Sequence, residues 1–144
     1  MNKSTFEEQL RINGRIVYTV RGWSMTPLLY ENRDLVVIDS IESHKLKKND
    51  VILYRINDRY VLHRIVKVRS QDYVMRGDRC MTKEYGITQR HILGRMTSFI
   101  RKGKPKSVKN FLYRLYVFFW CDMFFLRVAV LKTGSFLRRL FLRK

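Results

Sequence analysis

The sequence has little that would staple or anchor it. Only two cysteines occur among 144 residues, Cys80 and Cys121, far apart and in unlike surroundings. That excludes both the dense disulfide framework of small secreted domains and the paired spacing of a zinc site, so both read as free thiols. Acids are scarce too: 12 Asp and Glu stand against 30 Lys and Arg, a formal net charge of +18. A chain so basic favours a polyanionic neighbour, either nucleic acid or an anionic membrane surface. The opening Met1-Asn2-Lys3-Ser4-Thr5-Phe6-Glu7-Glu8 is polar and acidic. A secretory signal needs a basic start and an apolar run, so the N-terminus is expected to begin and stay in the cytoplasm.

What is present suffices for one domain of ordinary size with a core, plus an appendage: 46% of the residues are hydrophobic. Ser4-Thr5-Phe6-Glu7 has capping-box form and Gly14 stands where a short helix would stop, which predicts a helix from about Thr5 to Asn13. From Arg15 to Ile100 the pattern changes to short runs rich in Val, Ile and Tyr, broken by turn residues. These read as strands over residues 15–21, 34–39, 50–56, 60–69, 72–76 and 91–100. Asn57 and Asp58 tolerate left-handed turn geometry, so residues 50–69 are expected to form a long β-hairpin. Gly103 and Pro105 punctuate a basic stretch, read as a linker over residues 101–110 between a β-domain (1–100) and a C-terminal segment (111–144). No internal repeat is apparent.

The C-terminal stretch carries much of the charge. Residues 101–144 hold twelve Lys or Arg against Asp122 alone, +11 of the total. Residues 111–131 are intensely aromatic and aliphatic, but Arg114, Asp122 and Arg127 interrupt them. A clean span wants about 20 apolar residues, and a central Asp costs about 2.5–3.5 kcal/mol on insertion scales. The favoured expectation is an amphipathic helix lying in the membrane interface, with Lys104, Lys106, Lys109, Arg138, Arg139, Arg143 and Lys144 on anionic headgroups. A true span and a helix packed on the domain or on a partner are the alternatives. The aromatic density suits lipid better than nucleic acid.

Chemistry concentrates around Gly22-Trp23-Ser24-Met25-Thr26-Pro27. A serine hydroxyl is a weak nucleophile until a base takes its proton and donors await the oxyanion. Gly22 and Pro27 suit a strand running into a tight turn that presents a small hydroxyl to a cleft. A single Ser among turn residues usually just hydrogen-bonds its own backbone; the ordered surroundings change that reading. Gly-x-Ser-Met-x-Pro, then Leu62-His63-Arg64-Ile65 on an apolar strand, then Arg76-Gly77-Asp78, resembles the ordered boxes of signal peptidase I and its LexA-like relatives. The resemblance covers roughly residues 15–100. It includes Lys48-Asn49-Asp50-Val51-Ile52-Leu53-Tyr54, which looks like the family's Gly-Asp-Val-Val stretch with Asn49 in place of Gly.

The resemblance implies a mainly β, coiled antiparallel fold with a short N-terminal helix, and a serine endopeptidase with Ser24 as nucleophile. It needs no metal or organic cofactor. Most bacterial signal peptidases and LexA-like proteins carry a lysine base in the strand box, whereas the archaeal and endoplasmic-reticulum type has histidine; here the matching residue is His63. A buried lysine must be pushed several units down to act as a base, while imidazole already titrates near neutrality. A histidine base wants a third group to hold its tautomer. Asp78, by its match to the Gly-Asp box, is the first choice and Glu84 the second; Asp78 as a simple turn residue is the plainer alternative. His44 and His91 have no box around them and read as structural or exposed. Lys67 is a possible rival base, because on a strand it shares a face with His63, but it lies about 13 Å along the strand and both cannot serve the same serine. For the oxyanion hole the backbone N–H of Ser24 is one donor; Gly22 stands where many relatives add a hydroxyl, so the second is unassigned. Met25 is the family residue at its place, and Trp23 is a candidate wall of the substrate groove.

The implied activity is cleavage of leader or signal-type peptides near a membrane surface, on the cytoplasmic face. Two rivals stand beside it. A LexA-like self-cleaving or dimerising regulator is weakened because only about fourteen residues precede the first strand, too few for a helix-turn-helix domain. A basic nucleic-acid-binding protein would use the C-terminal charge and interleaved aromatics.

Overall fold

Helix α1 (Phe6–Asn13) begins where Thr5 accepts a hydrogen bond from the Glu8 backbone N–H at 3.2 Å and ends where Gly14 turns left-handed, φ 68°. The cap is therefore Thr5 with Glu8 three residues on, one position later than the Ser4–Glu7 pair expected. The computed structural model describes residues 5–41 and 45–142. Ser4, His44, Arg143 and Lys144, to which the sequence reading gave roles, lie outside the described residues.

Eight strands follow the helix: β1 (Arg15–Thr19), β2 (Asp34–Ser40), β3 (Val51–Ile56), β4 (Arg59–Val68), β5 (Tyr73–Arg76), β6 (Glu84–Ile87), β7 (Ile92–Arg101) and β8 (Lys104–Ser107). They form one sheet in the order β1-β2-β7-β3-β4-β5-β6, with β8 also on β7. Every pairing is antiparallel, so the mainly β, coiled antiparallel architecture with a short N-terminal helix and a helical C-terminus is the fold observed. Register shifts interrupt β2–β7, β3–β7, β4–β5 and β5–β6. Such bulges bend and twist a strand, which is how the sheet curls instead of lying flat.

Two turns are legible in the residues that make them. Asn57 and Asp58, at φ 47° and 60°, close the β3–β4 hairpin in two residues, as their tolerance of left-handed geometry predicts. Lys102 and Gly103, at φ 51° and 74°, do the same between β7 and β8. The basic stretch read as a linker is therefore paired: Arg101 faces Lys104 and Ile100 faces Pro105. Pro105 fits because β8 is short and pairs only with β7, and an edge strand tolerates a missing N–H. The first compact unit runs to Val108 and the second begins at Lys109, a division that falls within the stretch 101–110 read as the linker.

One face of the sheet buries Leu46, Ile52, Tyr54, Ile65, Met75 and Ile87, with Val61, Tyr73 and Ile92 packed against them. Cross-strand pairs share a face. Ile52 pairs with His63, Ile65 with Met75, and Met75 with Glu84, so His63 and Glu84 project from the same face as this apolar cluster.

The second unit, taken by itself, is helical: α2 (Phe111–Tyr116), a π-helical turn (Val117–Asp122) and α3 (Phe124–Phe141). Asn110 caps α2 through Leu112 N–H at 2.9 Å. The single amphipathic helix expected over residues 111–144 is instead broken at Met123, whose ψ of 70° leaves the helical region. Among the described residues, no helix is long and apolar enough to cross a membrane.

Candidate active site

The loop between β1 and β2 carries Ser24. Gly22 sits at φ 81° and releases the chain from the strand direction into the turn, a conformation a side chain would strain. Within the turn Thr26 N–H and Thr26 Oγ1 both donate to the Trp23 carbonyl, at 3.1 and 2.8 Å, and Leu29 N–H donates to Met25 O at 2.9 Å. The Thr26–Pro27 bond is cis. Met25, Leu28 and Leu29 are buried and fix the underside of the loop, while Trp23 stays 59% exposed above it. The far end is tied by Asp34, fully buried, which accepts from Tyr30 N–H at 2.9 Å and from Arg33 at 2.7 and 2.9 Å. Burial alone would raise the Asp34 carboxyl, but these hydrogen bonds and Arg101 outweigh it and hold the pKa below the usual carboxylate value.

The turn after β5 meets this loop. Arg79 N–H donates to the Ser24 carbonyl at 2.9 Å, and Gly77 lies so close that an added Cβ would stand 2.5 Å from Ser24 O, 3.0 Å from Ser24 Cβ and 2.8 Å from Cys80 Sγ. Only glycine permits that approach. Ser24 is thus docked against residues 77–80, at the end of the β4–β5 ladder that also bears His63. Among the described residues, neither Ser24 Oγ nor its backbone N–H makes a hydrogen bond. The Ser24–His63 hydrogen bond of an activated nucleophile is not formed in this resting arrangement. Catalytic hydrogen bonds often close only when substrate is bound.

His63 is 8% exposed on β4. Its Nδ1 is 3.1 Å from the Tyr54 hydroxyl and 3.7 Å from Glu84 Oε2, and the Tyr54 hydroxyl donates to Glu84 Oε2. Burial lowers the His63 pKa below 6.5; the charges of Glu84 and, less strongly, Asp78 oppose it without prevailing. The imidazole is therefore neutral at neutral pH, the form a general base needs.

The two candidate acids divide. Asp78, the first choice, is gripped by Arg64: Nε to Oδ1 at 2.8 Å and Nη2 to Oδ2 at 2.7 Å, both side chains almost fully buried. Arg64 Nη1 also donates to Asn49 O at 2.9 Å, so this pair joins the start of β3 to the turn behind Ser24. Glu84, the second choice, is the carboxylate brought against His63. The reason is a matter of faces: Arg64 pairs with Arg76, and Asp78 follows two residues later, while Glu84 pairs with Met75 on the His63 side. Strand β6, which carries Glu84, is not among the strands expected from the sequence. Its signal was faint, because Gly86 interrupts a run of four residues.

Lys67 is removed as a rival base by the bulge at Val66. Ile65 pairs with Met75 but Lys67 with Val74, so Lys67 moves to the Arg64 face and is exposed, not on the His63 face expected of a regular strand. His91 is used locally: its Nδ1 accepts the Thr88 N–H at 3.0 Å.

A family model described as Peptidase S24-like matches residues 2–96, about two-thirds of the chain. The chain belongs to the Peptidase S24-like family. No match is found among curated proteins. Membership makes this S24-like chain a serine-peptidase-like protein of the LexA and signal peptidase clan, whose activities are proteolysis of other chains or self-cleavage. The matched span holds Ser24, His63, Asp78 and Glu84 and stops within β7.

Proposed function

We propose that this S24-like chain is a serine endopeptidase of the histidine-base type that cleaves leader or signal-type peptides beside an anionic membrane surface. The observation that carries the reading is His63: buried, neutral, backed by Glu84, and on the same ladder end as the docked Ser24. Ser24 Oγ attacks the scissile carbonyl as His63 accepts its proton, and the Ser24 backbone N–H faces the oxyanion. The imidazolium, stabilised by the Glu84 carboxylate, then protonates the leaving amine, and water hydrolyses the acyl-enzyme by the same route in reverse. Asp78, bound to Arg64, supports the floor of the site. Exposed Trp23 walls the groove, where an extended peptide adds to a strand edge.

The membrane side of the proposal rests on the second unit. Phe125 is 89% exposed, Phe136 65% and Phe141 80%, beside Arg138 and Arg139. Apolar rings next to cations suit the interface of an anionic bilayer, on the cytoplasmic face, better than they suit nucleic acid.

The test is a trap. Peptides that accumulate uncut in cells carrying Ser24→Ala, identified by mass spectrometry, are expected to be membrane-directed precursors, and His63→Ala should accumulate the same set. If neither variant alters any precursor, the endopeptidase reading is wrong. If wild-type protein cuts only its own chain, the self-cleaving regulator replaces it.

A further inference from the structure

Building on the Ser24–His63 reading above, we propose that Tyr54 is a positioning residue, whose hydroxyl stands between Glu84 and His63 and selects the tautomer that leaves Nε2 free to act as the base. A phenol has one O–H, and the Tyr54 hydroxyl directs it to Glu84 Oε2. Only its oxygen lone pairs remain for His63 Nδ1, 3.1 Å away. Nδ1 must therefore carry the hydrogen and donate, and Nε2 keeps the lone pair. Among the described residues Nε2 has no partner of its own to impose the opposite choice.

The surroundings hold this chain of bonds in one direction. Tyr54 is fully buried, its ring packed with Ile52, Ile65 and Met75, so the hydroxyl cannot swing to water. Burial first, and the Glu84 carboxylate second, push the phenol pKa far above its ordinary value, so the hydroxyl keeps its proton. Glu84, the more exposed end at 43%, stands 3.7 Å from Nδ1, beyond hydrogen-bonding distance, and reaches the ring through the phenol. In a serine–histidine–carboxylate triad the acid holds the imidazole directly. Here a hydroxyl is inserted, and the acid acts through it. As His63 becomes imidazolium during acylation, Nδ1–H still points at an oxygen whose own proton leans on a carboxylate, so no donor is turned against a donor.

Two measurements test this, and one needs neither a variant nor a substrate. Nitrogen-15 NMR of the wild-type chain, at a pH where His63 is neutral, should find Nδ1 protonated and Nε2 bare; an Nε2–H tautomer overturns the proposal. The second is labelling of Ser24 by a fluorophosphonate, which reports activation of the nucleophile without a peptide. Tyr54→Phe keeps the ring and is expected to slow labelling by about tenfold or more, within the roughly 10²–10⁴-fold that general-base catalysis supplies. Glu84→Gln added to Tyr54→Phe should cost little further, because both act along one chain of bonds. Fully additive losses, or a Tyr54→Phe protein labelled as fast as wild type with its tautomer unchanged, sink the assignment. Should wild-type Ser24 take no label at all, the peptidase reading fails, while the tautomer still decides the role of Tyr54.

Discussion

At the scale of single residues, the two carboxylates near His63 ought to separate cleanly when removed. Asp78 and Arg64 are buried together, so Asp78→Asn strands a guanidinium in the interior; breaking such a pair costs about 3–5 kcal/mol. Urea unfolding of Asp78→Asn should register that loss, and a variant as stable as wild type would contradict the pairing. Glu84 is 43% exposed, so Glu84→Gln should change stability by under about 1 kcal/mol and yet slow the labelling of Ser24. The pH dependence follows from His63. Its folded pKa lies below 6.5, so the acidic limb of the acylation rate should have its midpoint below that value, where protonation removes the base. The stability sign agrees: below 6.5 the unfolded chain takes up a proton that the folded imidazole resists, so the fold loses stability as pH falls through that range. Glu84, Asp78 and Tyr54 act on this group, and a limb centred above 6.5 would mean that the two carboxylates outweigh burial.

Whole elements explain both what the sequence revealed and what it hid. Short runs rich in Val, Ile and Tyr announced β2, β3 and β4, and Asn57-Asp58 announced the hairpin, because buried strands and left-handed turns each leave a local mark. The His63 strand was legible for the same reason, whereas Ser24 stood out only through the Gly-x-Ser-Met-x-Pro motif and the boxes that follow it. What stayed hidden was register: the bulge at Val66 and the four-residue β6 leave no periodic mark, yet they decide that Lys67 turns away and that Glu84 turns toward His63. The β8 hairpin hid behind its charge, since Lys104 and Lys106 disguise an edge strand as a linker. Asn49 shows the opposite case, a departure that the backbone explains. It sits at φ 76°, ahead of β3, where the resemblance has glycine, and asparagine is the side chain that best tolerates that region. Asn49→Gly should therefore fold and label as wild type does. Asn49→Val should lose about 1–2 kcal/mol and, because the Asn49 carbonyl receives Arg64, disturb the support of Asp78 as well. Equal stability of the two variants, read by thermal unfolding, would remove the backbone explanation.

For the whole molecule, the charge and the exposed rings make one prediction together. The compact unit from Lys109 onward holds eight Lys or Arg against Asp122, +7 of the +18 total, and exposes Phe125, Phe136 and Phe141. Either feature alone is weak: basic residues near a bilayer contribute about 1 kcal/mol each and are screened by salt, and isolated exposed rings are common on soluble proteins. Combined on one helical unit, they predict binding to vesicles of anionic phospholipid that weakens with added salt but is not abolished by it, because the rings enter the interface regardless of screening. Neutral vesicles should retain far less protein. A chain ending at Val108, the limit of the first compact unit, should stay in solution with either vesicle while Ser24 still takes the fluorophosphonate, since every residue of the candidate site precedes that point. Truncated protein that floats with anionic vesicles as well as the full chain would place the membrane contact on the β-domain. Full-length protein that ignores vesicles but binds duplex DNA with a steep salt dependence would turn the charge toward nucleic acid instead.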